Sequence, residues 1–137
     1  MPRSAFGALI LCGCSFSVRE PAFTAHPDSA YSEVPYPPPA ALVEAVPDEP
    51  ENVDAVWVDG EWMFRGGFYV WRRGGWVRNP PDARYAPTRA RYLADGRLLL
   101  APGRWYGDSG RRIRRPEIVE PAKTPPNEVT SEFQTAR

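Results

Sequence analysis

Through the middle of the chain, short apolar runs alternate with glycine-bearing turns. Residues 55–58, 62–64, 68–71 and 76–77 are apolar, and they are separated by Asp59-Gly60, Gly66-Gly67 and Arg73-Gly74. Runs of this length, rich in Val, Phe, Tyr and Trp and bounded by Gly, Asp and Arg, predict short β-strands. Asp59-Gly60 is a strong signal for a two-residue hairpin. It would bring Val58 opposite Glu61 and Trp57 opposite Trp62. Arg73-Gly74 would do the same for Trp71 and Trp76, although Arg is a weaker choice at positive φ.

A turn at Gly66-Gly67 sets Arg65 opposite Phe68, Phe64 opposite Tyr69, Met63 opposite Val70 and Trp62 opposite Trp71. The three turns agree on one register and predict an antiparallel meander. In that meander Trp57, Trp62, Trp71 and Trp76 form one row, beside a row of Ala55, Phe64, Tyr69 and Arg78. Val56, Met63, Val70 and Val77 line the opposite face. Glu61 falls beside Arg72, as a surface pair of small value. After a break at Pro80-Pro81, residues 89–93, 97–100 and 104–106 predict further strands around an Asp95-Gly96 turn. Leu93 then faces Leu98, and Tyr92 faces Leu99. The expected fold is all-β, a small antiparallel meander of about five to seven short strands.

The turns also carry a repeat. Trp57-Val58-Asp59-Gly60-Glu61-Trp62 and Trp71-Arg72-Arg73-Gly74-Gly75-Trp76 share Trp-x-x-Gly-x-Trp, starting 14 residues apart. Leu100-Ala101-Pro102-Gly103-Arg104-Trp105 repeats it with Leu for the first Trp. Tyr85-Ala86-Pro87-Thr88-Arg89-Ala90 falls at the skipped beat as a degraded copy. Such a period marks a repeated supersecondary unit. The stretch from Trp57 to Trp105 resembles the bacterial WXXGXW (YXWGXW) repeat proteins, small exported proteins that are often lipoproteins. The resemblance implies β structure and an envelope location, and it implies no catalytic residues.

Composition divides the chain. Of 17 Pro, eight lie between Pro21 and Pro50 and four between Pro116 and Pro126, whereas all five Trp lie in the middle. The expected layout is a leader over 1–13, an acidic Pro-rich linker over 14–51, a β-domain over 52–110 and a disordered polar tail over 111–137. Some 60 residues is marginal for an independent core, which calls for dense aromatic packing, oligomerisation or a partner. Pro35-Tyr36-Pro37-Pro38-Pro39 favours polyproline II and reads as a spacer.

The formal net charge of zero is a cancellation. Residues 20–61 hold ten Asp or Glu and no Lys or Arg, whereas residues 65–115 hold thirteen Arg and three Asp. An Arg-rich half points to an anionic partner, to an acidic linker folded back on a basic core, or to coding bias alone. Arg111-Arg112-Ile113-Arg114-Arg115 could touch the phosphates of lipid head groups, or remain a solvated tail.

The first residues read as an export signal. Arg3 precedes the seven-residue apolar run 5–11, which is too short to span a bilayer. Leu11-Cys12-Gly13-Cys14 then resembles a bacterial lipobox. It implies cleavage before Cys14, lipidation of its thiol and a lipid-anchored protein in the cell envelope, most readily at the outer membrane.

Candidate chemistry is sparse. His26 is the only His, and no Ser has a partner base in the core. No catalytic residue, metal ligand or cofactor site is expected, and the chain reads as a non-enzyme. The Trp row reads as core or as a stacking platform. With Arg65, Arg72, Arg73 and Arg78 it could hold an anionic polysaccharide or peptidoglycan. The alternative is a scaffold that self-associates, or contacts an envelope protein, through its sheet face. Nucleic acid is not expected in an exported protein. Gly60, Gly66, Gly67, Gly74, Gly96 and Gly103 are assigned to turns.

Overall fold

The computed structural model describes residues 17–123. The leader, Cys14 and the last part of the tail lie outside the described residues. The strands are β1 (Ser32–Val34), β2 (Ala55–Val58), β3 (Glu61–Arg65), β4 (Phe68–Arg72), β5 (Gly75–Arg78), β6 (Ala83–Ala86), β7 (Arg89–Tyr92), β8 (Leu98–Ala101), β9 (Arg104–Gly107), β10 (Arg112–Ile113) and β11 (Ile118–Pro121). A 3-10 turn covers Asp28–Ala30. The protein is all-β, built of small antiparallel sheets ordered β1-β8-β7, β10-β9-β6, β11-β5-β2 and β3-β4.

The Gly66-Gly67 tip forms as the sequence predicts. Both glycines have positive φ, and β3 pairs with β4 from Glu61↔Arg72 to Arg65↔Phe68. The turns at Asp59-Gly60 and Arg73-Gly74 do not form. Neither glycine has positive φ. Instead β2 pairs with β5, from Val58↔Gly75 to Ala55↔Arg78. These pairs continue the register of the tip, step for step, across the interruption at residues 59–60 and 73–74. β2 to β5 are therefore two arms of one long ribbon.

β6 to β9 form a second ribbon of the same design. β7 pairs with β8 beside the tip, from Tyr92↔Leu98 to Arg89↔Ala101, and β6 pairs with β9 in the continuing register, from Ala86↔Arg104 to Ala83↔Gly107. Here Pro87-Thr88 faces Pro102-Gly103 at the break. The tip is a three-residue loop, 94–96, with Gly96 at φ 86° and the Leu93 N–H bonded to the Arg97 carbonyl. That is one residue longer than the predicted Asp95-Gly96 turn, so Tyr92 meets Leu98 instead of Leu99. Leu98 and Leu100, on the central strand β8, are buried, whereas Tyr92, opposite Leu98 on the edge strand β7, is exposed.

The repeat now has a structural meaning. Each Trp-x-x-Gly-x-Trp unit crosses one break, and units pair antiparallel, first aromatic to last. Trp57 faces Trp76 and Trp62 faces Trp71. In the degraded units Tyr85 faces Trp105 and Ala90 faces Leu100. The Trp57–Trp76 and Trp62–Trp71 ring pairs are both edge-to-face, with centroids 5.7 and 5.1 Å apart. Such a pair contributes about 1 kcal/mol beyond its burial.

The single Trp row is a further expectation the structure overturns. Side chains alternate faces along a strand, so two Trp five residues apart in one continuous arm lie on opposite faces. Trp62 packs inward with Tyr69, Leu98, Leu100 and Val34, joining the two ribbons at their tips. Val56, Val58 and Val77 pack against Ala83, Tyr85 and Trp105, joining them at their bases. Trp57 and Trp76 face the other way, under Ala55 and Ala122 with Val18 and Val53 at the margin.

The linker and tail are the largest correction. Over residues 17–50 the acidic segment is a strap bound to the ribbons. The Arg19 carbonyl accepts from the Trp57 backbone N–H, and residues 22–24 run parallel to β6 with hydrogen bonds on both sides of Tyr85. β1 extends the second ribbon by pairing with β8. β10 pairs with β9 and β11 with β5. Ala45 and Lys123 exchange two hydrogen bonds, tying strap to tail. The physical reason is edge satisfaction: two ribbons alone leave open strand edges and an uncovered face. The boundaries at 51 and 111 are thus not structural ones.

Candidate ligand-binding site

At the middle of the molecule all four repeat units meet at one carboxylate. Glu61 starts β3, is 8% exposed, and is the one buried charged residue among the described residues. Arg72, directly opposite in the ladder, forms an ion pair with it. From the second ribbon, the Tyr85 hydroxyl donates to Glu61 Oε1 (3.3 Å), the Thr88 hydroxyl donates to Oε2, and the Gly103 N–H donates to Oε2 (3.1 Å). Arg72 also donates to the Gly103 carbonyl (3.0 Å). A carboxylate holding this many donors is well satisfied, which is the condition for burying it. Burial raises the Tyr85 pKa and lowers that of Arg72, while the Arg115 charge also lowers Arg72.

Gly103 is needed here for space. A Cβ at this position would lie 2.2 Å from the Tyr85 hydroxyl and 2.4 Å from Glu61 Oε2. Gly74 is constrained likewise, since its Cβ would lie 2.6 Å from both Gly60 N and Val58 O. Gly60 has the Trp71 ring at 2.3 Å from its would-be Cβ. The motif glycines therefore let two arms and an indole close together at the break. The glycines at Gly66, Gly67 and Gly96 serve turns as expected.

Beside Glu61 opens a mostly apolar cavity of about 330 Å³. Trp57, Trp62 and Trp71 wall it from the first ribbon, Tyr85 and Pro87 from the second, and Phe23, Pro38 and Pro39 from the strap. Its charged groups are carboxylates, Glu20, Asp59 and Glu61, and the Tyr85 and Thr88 hydroxyls on its wall are turned to Glu61. Asp59 accepts from the Trp57 indole N–H at 2.7 Å. The strap holds the other three indoles of the first ribbon. Trp62 donates to the Ala40 carbonyl, Trp71 to Glu44 Oε1 and Trp76 to the Pro47 carbonyl, each at 2.9 Å. Glu44 Oε2 also accepts from the Gly74 N–H (2.8 Å), capping the break.

The sequence-predicted site residues are thus dispersed. Trp57, Trp62 and Trp76 are buried in the core, and Trp71 is half-buried. Trp76 is not part of the cavity wall. Arg65 stands exposed beside the ribbon tip, and Arg78 is exposed at the far end of β5. Arg73 donates to the Ala122 carbonyl, and Arg72 is engaged with Glu61. No Arg lines the aromatic cavity. A flat platform of Trp and Arg is therefore not what these residues build. Sequence reasoning missed Glu61 as a buried centre, and it missed Phe23, Pro38 and Pro39 as walls. The prolines carried a signal in hindsight, because polyproline backbone offers unpaired carbonyls to indole donors.

His26 is likewise held, not loose. Its Nε2 lies 2.7 Å from the Pro87 carbonyl and its Nδ1 3.2 Å from the Tyr106 hydroxyl. Among the described residues no group of three His, Cys, Asp or Glu side chains could hold a metal ion. Chemically the aromatic cavity offers ring faces for stacking and carboxylates that accept hydrogen bonds from hydroxyl or amine groups. No family model matches this chain, and no curated protein or solved structure matches it either.

Proposed function

We propose that the chain is a lipid-anchored protein of the bacterial cell envelope whose β-domain is a glycan-binding module. The observation that carries the reading is the aromatic cavity, with Trp57, Trp62 and Trp71 as walls and the Glu20 carboxylate and the second oxygen of Asp59 as acceptors, Glu61 being taken up by its own donors. A saccharide ring has an apolar face for an indole and hydroxyls for carboxylates. The WXXGXW resemblance and the lipobox at Cys14 support the location. The charge of an anionic glycan would have to lie outside this cavity, where the Arg side chains are.

Tryptophan fluorescence of the full chain tests the proposal, with purified peptidoglycan and soluble N-acetylglucosamine oligomers as probes. A saturable change is expected, and Trp71→Ala should abolish it. No saturable change with either probe overturns the glycan reading. Location is tested separately: Cys14→Ala should move the protein from the membrane fraction to the soluble one.

A specific observation favours a second reading, the scaffold. At the tip of the first ribbon the outer face is uncovered: Phe68 is 57% and Val70 40% exposed, and β3 and β4 have no third strand. Concentration-dependent sedimentation, lost in Phe68→Ser with Val70→Ser, would support that role.

A further inference from the structure

A second, chemically opposite cavity lies against the partner of Glu61. Arg72, Arg104, Arg112 and Arg115 converge on a space of about 50 Å³, with Tyr85 and Trp105 among its walls. They come from four places in the chain: the end of β4, the start of β9, β10 and the segment after β10. The pairing of β10 with β9, Arg112↔Tyr106 and Ile113↔Trp105, brings the basic cluster at 111–115 here.

We infer that this cavity is a binding site for a phosphate-class oxyanion, either inorganic phosphate or a phosphate monoester. The reading is independent of the glycan proposal.

Three observations carry it. First, the charge is uncompensated. Arg72 is paired with Glu61, but Arg104, Arg112 and Arg115 form no ion pair among the described residues. Like charges brought together at a part-buried place repel and call for an anion. Burial pushes the Arg115 guanidinium down, and its charge adds to the burial that lowers Arg72.

Second, the Trp105 indole is 2% exposed and its Nε1–H has no hydrogen-bond partner. The four other indoles all have one. A buried donor without a partner carries a standing cost, and Trp105 lines this cavity, so an acceptor that reaches the indole on binding would remove that cost.

Third, the side-chain polar groups on the wall are guanidinium, indole and a phenol that already donates to Glu61. Guanidinium donates and cannot accept, so the wall selects a ligand that presents anionic acceptor oxygens. Arg forks match phosphate oxygens in pairs. The space would hold on the order of four water-sized groups, close to one phosphate group.

An adjoining cavity of about 300 Å³ shares Arg72, Gly103, Arg104 and Arg112 as walls, and continues past Met63, Phe64, Val34 and Leu100. It gives room for the body of an ester. Glu33 on its rim is turned to Arg97, at 3.4 Å.

The test is an amide and indole NMR titration of the full chain, with the Trp105 indole signal assigned from its loss in Trp105→Phe. Inorganic phosphate, glycerol 3-phosphate and glucose 1-phosphate are the probes, at constant ionic strength, with chloride as control. A saturable downfield shift of the Trp105 indole proton is expected, weakened at least about tenfold in Arg112→Gln with Arg115→Gln. These two side chains lie outside the Glu61 node, so the variant should keep its dispersed spectrum. Equal affinity for inorganic and esterified phosphate identifies the small cavity alone as the site. Tighter ester binding with shifts at Met63 and Phe64 brings in the larger one. The inference is overturned if no probe moves the Trp105 signal up to about 50 mM, or if the double variant titrates like the parent.

Discussion

Glu61 and Arg72 stand opposite each other in the β3–β4 ladder, and the pair is closed off by the second ribbon, not washed by solvent. Their relative register is legible in the sequence, but their burial is not. Tyr85, Thr88 and Gly103, from units two and three repeats away, add the remaining hydrogen bonds. A pair on the surface of a meander contributes well under 1 kcal/mol. Removing one partner of a buried pair costs more, because the other charge is stranded.

Glu61→Gln should therefore destabilise the protein by about 3 kcal/mol, read by urea unfolding at pH 7. Arg72→Met should cost a similar amount. The double variant should cost less than the two together, since neither charge is then left alone. Simple additivity would mean the residues do not form a unit. Tyr85→Phe, which leaves Glu61 its other donors, should cost about 1 kcal/mol.

The motif glycines separate ribbon from meander. Gly74→Ala forces a methyl to within 2.6 Å of two backbone atoms of the opposing arm, and backbone cannot step aside as a side chain can. It should cost about 3 kcal/mol. Gly96→Ala meets open space, and its penalty is that of φ 86° alone, about 1 kcal/mol. In a chain where Arg73-Gly74 was a solvent-facing hairpin turn, the two variants would cost the same. Thermal unfolding of both settles the ranking.

What the sequence revealed and hid follows from the range of the interactions. The Gly66-Gly67 tip is local: positive φ at two adjacent glycines fixes it, and five pairs follow in register. Asp59-Gly60 carries the same local signal, but a competing pairing wins there. All four residues of β2 are buried, which a sequential hairpin at the edge of a meander would not provide. Pairing with β5 buries Val56 against the second ribbon and Trp57 under Ala122. The strap was hidden because its bonds run from indoles to proline-region carbonyls, a contact without sequence periodicity. The second ribbon was half-hidden because its units keep the spacing and lose the Trp.

Glu44 tests the strap. It holds the Trp71 indole with one carboxylate oxygen and the buried Gly74 N–H with the other. Glu44→Ala leaves both donors without a partner and should cost about 2 kcal/mol. It should also speed proteolytic cleavage within residues 36–50, and shift the emission of Trp71 to longer wavelength. Glu49→Ala, an exposed change in the same segment, is the control. If the two variants are cut at the same rate as the parent, the segment is not held through Glu44.

The single His gives the fold a pH signature near neutrality. The Pro87 carbonyl can only accept, so His26 Nε2 carries the proton and Nδ1 accepts from the Tyr106 hydroxyl. Burial lowers its pKa below 6.5, and the charges of Arg104 and Arg89 lower it further, against the raising effect of the Pro87 hydrogen bond. The folded protein thus resists the proton that the unfolded chain takes up near pH 6.5. Stability is fully present above that value and falls as the pH drops through it, until the folded pKa is reached. The Tm of the parent should decline between pH 7.5 and about 5.5. In His26→Gln, whose amide can still donate to Pro87, the decline over that window should be absent. Asp95, the carboxylate held low by its Arg97 hydrogen bonds, acts only at more acid pH. A Tm that rises on acidification, or a decline that persists in His26→Gln, would assign the pH dependence to another group.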